Sequence, residues 1–278
     1  MELAALLSQR FVMPSVPRVM ALLLTELSAE QPDLCRIDQL IGSDPALTLR
    51  LLQAANGPIF KLPGLIHSVA EALAVLRLGQ VQAMVNQAVS QVSFKAVPGL
   101  QLTRFWSYSL DVARVARSLA GVLRLNQQAA YSCGQIHAVG ELAMRVAMPE
   151  AVELDALCAP LDYRRARAEN QNLGFCYTQV GAGLAEQWHF PQLLVDSLRF
   201  AHAPFDSDND DSEPLAGVLH LAIWRARAKQ AAMSAKAMVV TFPGAVADAL
   251  ELDIDMVLQQ DPIDWTRQVP GASFPANL

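Results

Sequence analysis

The stretch Ile41-Gly-Ser-Asp44-Pro45-Ala-Leu-Thr-Leu-Arg50-Leu-Leu-Gln-Ala-Ala-Asn56 decides how this chain folds. Asp44 followed by Pro45 is a helix start: the carboxylate caps backbone donors, and proline occupies a first-turn position whose N–H would have no partner anyway. The apolar run from Leu47 through Leu52 follows, and Asn56-Gly57 supplies residues that tolerate positive φ at the helix end. Further along, Ser68-Val-Ala-Glu71 is a capping-box sequence, in which hydroxyl and carboxylate satisfy backbone donors reciprocally. Val69, Leu73 and Leu76 then recur at helical spacing, with Gly79 expected to close that helix. Val81, Met84, Val85, Ala88, Val89 and Val92 draw the next apolar stripe.

Val97-Pro98-Gly99 reads as a junction between two helical lobes. Beyond it, helices are predicted from Thr103 to Leu123, Gln127 to Ala147, Thr178 to Trp188, Pro191 to Ala201 and Pro214 to about Lys229. In the last of these, Arg225, Arg227 and Lys229 suit the negative end of the helix dipole. From Val239 onward, Pro243, Pro262, Pro270 and Pro275 point to short helices and a loose tail, and only Met238-Val-Val-Thr241 suggests a brief strand. The fold class is all-α.

Composition narrows the function. Hydrophobic residues make up 53% of the 278 and charged residues 17%, which excludes an intrinsically disordered chain. The formal charge is −6, so the basic excess that displaces counterions from phosphates is lacking, and nucleic acid is not expected as the main partner. Cys35, Cys133, Cys158 and Cys176 include no close pair, as free thiols in a reducing cytoplasm would. No basic residue precedes Arg10, so a signal peptide is not expected. Mean hydropathy is +0.24, yet no uninterrupted apolar window reaches the length of a membrane span. The expected compartment is the cytoplasm, with no membrane partner.

Several motifs fail on inspection. The acidic run Asp206-Ser-Asp208-Asn-Asp210-Asp211-Ser-Glu213 begins like a calcium loop, but Asp211 stands where glycine must turn the chain and Gly217 where a bidentate glutamate belongs. A solvated linker is the better account. Gly181-Ala-Gly183 follows no strand and has Glu186 in place of a third glycine, which favours close helix packing over dinucleotide binding. His67 and His189 sit at helix ends, and His220 falls inside the helix from Pro214, half-buried. His137 and His202 each follow an apolar segment without an adjacent carboxylate, and spacing alone proposes no hydrolytic triad.

Taken jointly, Phe11-Val-Met-Pro14-Ser-Val-Pro17, the stretch 41–56, Ile66-His-Ser68 with Ala72, Leu76, Leu78 and Gly79, and Gly174 through Gly181-Ala182 with Trp188 and Pro191 resemble the HDOD family. This is the HD-related output domain of bacterial signalling proteins. The resemblance implies an all-α fold of two packed helical lobes, the second HD-like. The domain would span 8–205, with lobes of about 8–97 and 100–205, followed by an acidic loop and C-terminal helical extension over 206–278. It also relates the chain to the HD phosphohydrolases, whose divalent metals are held by histidines and aspartates on neighbouring helices.

Position by position, the resemblance places Tyr108 at the first of those histidines, His137-Ala138 at the His-Asp pair, Tyr177 at a later histidine and His202-Ala203 at a histidine pair, with the terminal aspartate nearest Ile223. Two imidazoles without a carboxylate fall short of a catalytic metal site, which takes at least three protein ligands. Neutral phenols are poor substitutes, since an ordinary tyrosine titrates near pH ~10. The implied role is therefore a non-catalytic signalling module with no catalytic residue, metal or cofactor, whose partner is another signalling protein. Tyr108, His137, Tyr177 and His202 form a vestigial pocket open to a nucleotide-like small ligand, or else simply hydrogen-bond one another in the core. The rival implied by the same resemblance is a residual metal-dependent phosphohydrolase.

Overall fold

At the start of α4 (Pro45–Ala55), Asp44 accepts hydrogen bonds from the Ala46 and Leu47 amides at 2.9 and 3.2 Å, as its position predicts. Leu47, Leu49, Leu51 and Leu52 of this helix are all buried, which makes α4 a central post, packed on several sides. The computed structural model describes residues 1–9, 11, 13–15, 17–57, 64–91, 97–205 and 213–260. The acidic run over 206–212, Val92 of the second stripe, and Pro262, Pro270 and Pro275 lie outside the described residues.

After α1 (Leu3–Leu7), which packs elsewhere, α2 (Pro17–Leu27), α3 (Leu34–Gly42), α5 (Val69–Val75) and α6 (Leu78–Gln91) stand around α4. All but α1 form one layer about it, with α2 against α3 and α6, and α4 against α3, α5 and α6. Asn56 ends α4 without positive φ, at −84°. Its buried amide instead bonds Ile66 on both sides: Nδ2 donates to the Ile66 carbonyl at 2.9 Å, and Oδ1 accepts the Ile66 N–H at 3.1 Å. The Ser68 cap forms, its hydroxyl accepting the Glu71 amide at 3.2 Å. Glu71, however, reaches one residue further back than a capping box does, to the His67 N–H at 2.7 Å. Gly79 does not close a helix; α5 ends at Val75, and Gly79 lies in the first turn of α6.

The following helices are α7 (Leu102–Val122), α8 (Gln127–Ile136), α9 (Val139–Ala147), α10 (Pro149–Glu153), α11 (Arg165–Leu173), α12 (Tyr177–Gln187), α13 (Gln192–Arg199) and α14 (Pro214–Gln230). Helix α7 is the axis of this group, packed along α8 and α14. Contact with the earlier layer runs through α4 against α7 and α8, where Tyr131 Oη and Gln135 Nε2 donate to the Gly42 carbonyl at 3.1 and 2.8 Å. The single helix expected from Gln127 to Ala147 is two, broken at His137-Ala138. Gly134 and Gly140 flank that break and serve close approach: a Cβ on Gly134 would stand 2.3 Å from Ala113 Cα, and one on Gly140 2.0 Å from the Tyr177 carbonyl oxygen.

The chain continues as α15 (Ala235–Thr241), α16 (Gly244–Ala249) and α17 (Ile254–Leu258). Met238–Thr241, the brief strand candidate, is helical, because the Ser234 hydroxyl caps α15 by accepting the Ala237 amide at 3.3 Å. No strand occurs among the described residues, and the protein is all-α. Helix α14 and residues such as Ala247, Leu250 and Val257 share the core that runs through α4 and α7. No described helix is long and apolar enough to cross a membrane.

Candidate functional site

Tyr108 lies on the buried face of α7, and the tight seat of Gly134 on Ala113 draws α8 close enough to bring His137 against it. The two rings meet edge to face, centroids 5.4 Å apart. His137 Nδ1 sits 2.7 Å from the Gly134 carbonyl, which fixes the tautomer with Nδ1–H donating. Burial, reinforced by the charge of Arg227, depresses the His137 pKa to about 3, against the hydrogen bond to Gly134. His137 is therefore a neutral imidazole.

Tyr177 opens α12, its backbone N–H donating to Glu169 Oε2 at 2.8 Å. Its carbonyl crowds Gly140, so only glycine permits this crossing of α9 and α12, and Gly181 stands beside the Gly140 amide. Burial pushes both Tyr108 and Tyr177 above the ordinary phenol value, so neither is a phenolate at neutral pH. His202 follows α13 and is only half-buried; burial and then Arg227 lower its pKa. It lines an open groove of about 470 Å³ with Cys176, Thr178, Gln179, Glu186 and Arg199. Tyr108, His137 and Tyr177 thus come together in the interior, and His202 stands at the edge.

Ile223, placed nearest the terminal aspartate, is a buried apolar residue of α14. One turn further on the same stripe, Arg227 turns inward toward this cluster instead of complementing the dipole in solvent. Its guanidinium reaches the hydroxyls of Tyr108 and Tyr177. Burial opposes its charge, and those contacts outweigh burial to hold its pKa above the usual arginine value. Neither Arg227 Nε nor Tyr108 Oη makes an aligned hydrogen bond, and with both phenols neutral the guanidinium has only hydroxyl dipoles beside it. Arg227 was accessible to sequence reasoning through its i+4 relation to Ile223.

A divalent metal does not fit this donor set. It would meet two neutral phenols, an imidazole whose Nδ1 is committed to a carbonyl, a half-buried histidine and a resident guanidinium. Among the described residues no group of three or more His, Cys, Asp or Glu is disposed to hold a metal ion.

A second polar centre lies behind Tyr177, and nothing in the sequence pattern announces it. Arg145 and Arg165 are fully buried. Glu141 Oε1 accepts from Arg145 Nε at 2.7 Å and from Arg165 Nη2 at 3.1 Å. Arg165 Nε donates to Glu169 at 2.7 Å, and both arginines bond Asp155. Arg145 Nη1 also donates to the Pro98 carbonyl at 3.0 Å, beside Gly99, whose φ of +69° and missing Cβ let the chain pass over the guanidinium.

The arrangement has relatives. A protein of Treponema pallidum (strain Nichols) is 24% identical over 209 residues, 72% of this chain. The chain spans about 40% of the length of that curated relative. The solved structure of the MmoQ response regulator from Methylococcus capsulatus str. Bath is 24% identical, with 89% of this chain and 96% of that one covered and a TM-score of 0.69. A virulence factor from Campylobacter jejuni subsp. jejuni superposes with a TM-score of 0.65 at 21% identity, covering 94% of each chain. Both show the fold. The sequence profile of the HDOD domain matches residues 13–204, more than half of the chain, and the protein belongs to the HDOD domain family.

Proposed function

We propose that this protein is a non-catalytic signal-transduction module that acts by binding another signalling protein. The observation that carries this reading is the chemistry gathered at the HD-like site: Tyr108, Tyr177, His137 and Arg227 offer a cation and neutral groups where metal-dependent hydrolysis needs several anionic or lone-pair ligands. Membership of the HDOD family supports a signalling role, and the structurally similar MmoQ is itself described as a response regulator. We take the domain as 8–205, with lobes of about 8–97 and 100–205 and a C-terminal helical extension, working in the cytoplasm.

The test is the metal content of the untagged, natively purified protein, followed by a phosphodiester and nucleotide hydrolysis screen with added manganese, magnesium or zinc. The expected result is substoichiometric metal and no turnover above a denatured control. Near-stoichiometric metal that is lost in a His137→Ala variant, together with turnover, would establish the residual phosphohydrolase instead.

A further inference from the structure

We propose that Arg227, with Tyr108, Tyr177 and His202, forms a binding site for an oxyanion, a phosphate or carboxylate group that enters from the groove beside His202. This deepens the reading of the pocket as one that holds no metal, and rests on it.

The first argument is charge. Arg227, whose Nε is buried, stays protonated, and a charge drawn out of water is costly unless it is paired. Among the described residues no carboxylate forms an ion pair with Arg227, although the protein is acidic overall. The carboxylates within its electrostatic neighbourhood are committed elsewhere. Asp162 is bonded through both oxygens to Arg164, and Glu169, which faces His202, is bonded to Arg165 and to the Tyr177 amide.

The second argument is hydrogen bonding. Arg227 Nε and Tyr108 Oη are buried polar atoms at one spot, and neither has an aligned partner. Both carry a proton to donate, and each lies on a residue that touches the other. Even if the Tyr108 oxygen accepted from Arg227 Nε, its own proton would still have no acceptor, whereas a group with several acceptor lone pairs satisfies both donors. An oxyanion is such a group, and arginine's fork of N–H donors matches phosphate and carboxylate geometry. A metal cation is the wrong ligand because it would share the spot with a guanidinium charge and meet only neutral donors.

The third argument is access. Tyr108, His137 and Tyr177 are buried, and the open groove meets the cluster at His202, which feels the charge of Arg227 and lines the groove with Thr178 and Arg199. A ligand bearing an oxyanion would place that group at the inner end of the groove and leave the rest of itself outside.

The test is a titration of the full chain with inorganic phosphate, and separately with acetate, in the presence of a chelator and at constant ionic strength, followed by calorimetry. Saturable binding of either anion is expected. It should weaken at least about tenfold in Arg227→Met, the loss of one charge-assisted hydrogen bond, and remain unchanged in Arg36→Ala, an exposed arginine paired with Glu26. Should Arg227→Met fail to fold, Arg227→Lys keeps the charge and loses the fork, and it should bind measurably more weakly than wild type. Preference for phosphate or for acetate assigns the ligand class. No saturable binding of either anion, or binding that is indifferent to both Arg227 variants, overturns the proposal. Because metal is chelated and no turnover is read, failure here is distinct from the appearance of a hydrolase.

Discussion

Glu141 and Glu169 reach the same buried guanidinium, that of Arg165, from two different helices, at 3.1 and 2.7 Å. With Asp155 they make three carboxyl groups for the two guanidiniums of Arg145 and Arg165. Glu141 Oε2 has no donor of its own. Burial first, and then the neighbouring Glu169, raise the Glu141 pKa well above 4.5, against the pull of Arg165 and Arg145. The cluster reaches neutrality when Glu141 holds a proton and donates it toward Glu169.

Glu141→Gln keeps that shape without the titration. A folded pKa raised above the unfolded value means that the folded state holds more protons across the window upward from 4.5, so its stability declines as pH rises through that window. Denaturant titrations at about pH 5 and about pH 8 should show this decline in the wild type. The variant should show a flatter profile and be at least as stable at neutral pH. A variant several kcal/mol less stable than wild type at both pH values would mean that Glu141 is ionised.

Arg165→Met breaks the cluster from the other side. It strands Glu169 and part of Asp155 in the interior, and removing one partner of a buried pair costs about 3–5 kcal/mol. Urea unfolding should register a loss of that size. Arg164→Ala, on a neighbouring exposed side chain, should change stability by less than about 1 kcal/mol.

His137 supplies a second pH dependence, of opposite sign. Its folded pKa of about 3 lies below the ordinary 6.5, so its contribution to stability is complete above 6.5 and is lost as pH falls toward 3. Its ring resonances should show no titration at mildly acidic pH. His137→Asn should lose less stability than the wild type on acidification over that window.

Glycine substitutions separate packing from propensity. At Gly140 a Cβ would meet main chain, 2.0 Å from the Tyr177 oxygen and 2.8 Å from the Gly181 nitrogen, which no side-chain rotation relieves. Gly140→Ala should cost about 3 kcal/mol or more, or prevent folding. Gly79, with nothing within 4 Å, should gain about 0.4–1 kcal/mol as alanine. Melting temperatures of the pair should move in opposite directions.

The contrast between these glycines also shows what was legible in the sequence. Caps at Asp44 and Ser68 are local, and a few consecutive residues specify them, so they were readable. Gly79 looks like a terminator in sequence, but where a helix ends depends on what its next turn packs against. The break at His137-Ala138 has no proline or positive-φ glycine to mark it and follows from α8 and α9 docking on different neighbours. Tyr108, His137, Tyr177 and His202 were named through family resemblance, position by position, and the structure brings the first three together. Arg227 was missed because basic residues in a last helical turn ordinarily point to solvent. Arg145 and Arg165 were missed for a related reason: nothing local marks an arginine whose carboxylate partners converge on it from other helices and a turn.

The bond from Arg145 to the Pro98 carbonyl gives that hidden cluster a mechanical reach. Pro98 lies in the segment through which the chain passes from the α2–α6 layer to α7, and it is held by a side chain rooted in α9 and balanced by residues of α11 and the Asp155 turn. The peptide at Pro98 cannot part from α9 without breaking that bond. A movement of α9, or a change in the proton count at Glu141, therefore either shifts the entry to α7 with it or severs a charge-assisted bond, so Pro98 works as a crank pin and not as a loose hinge.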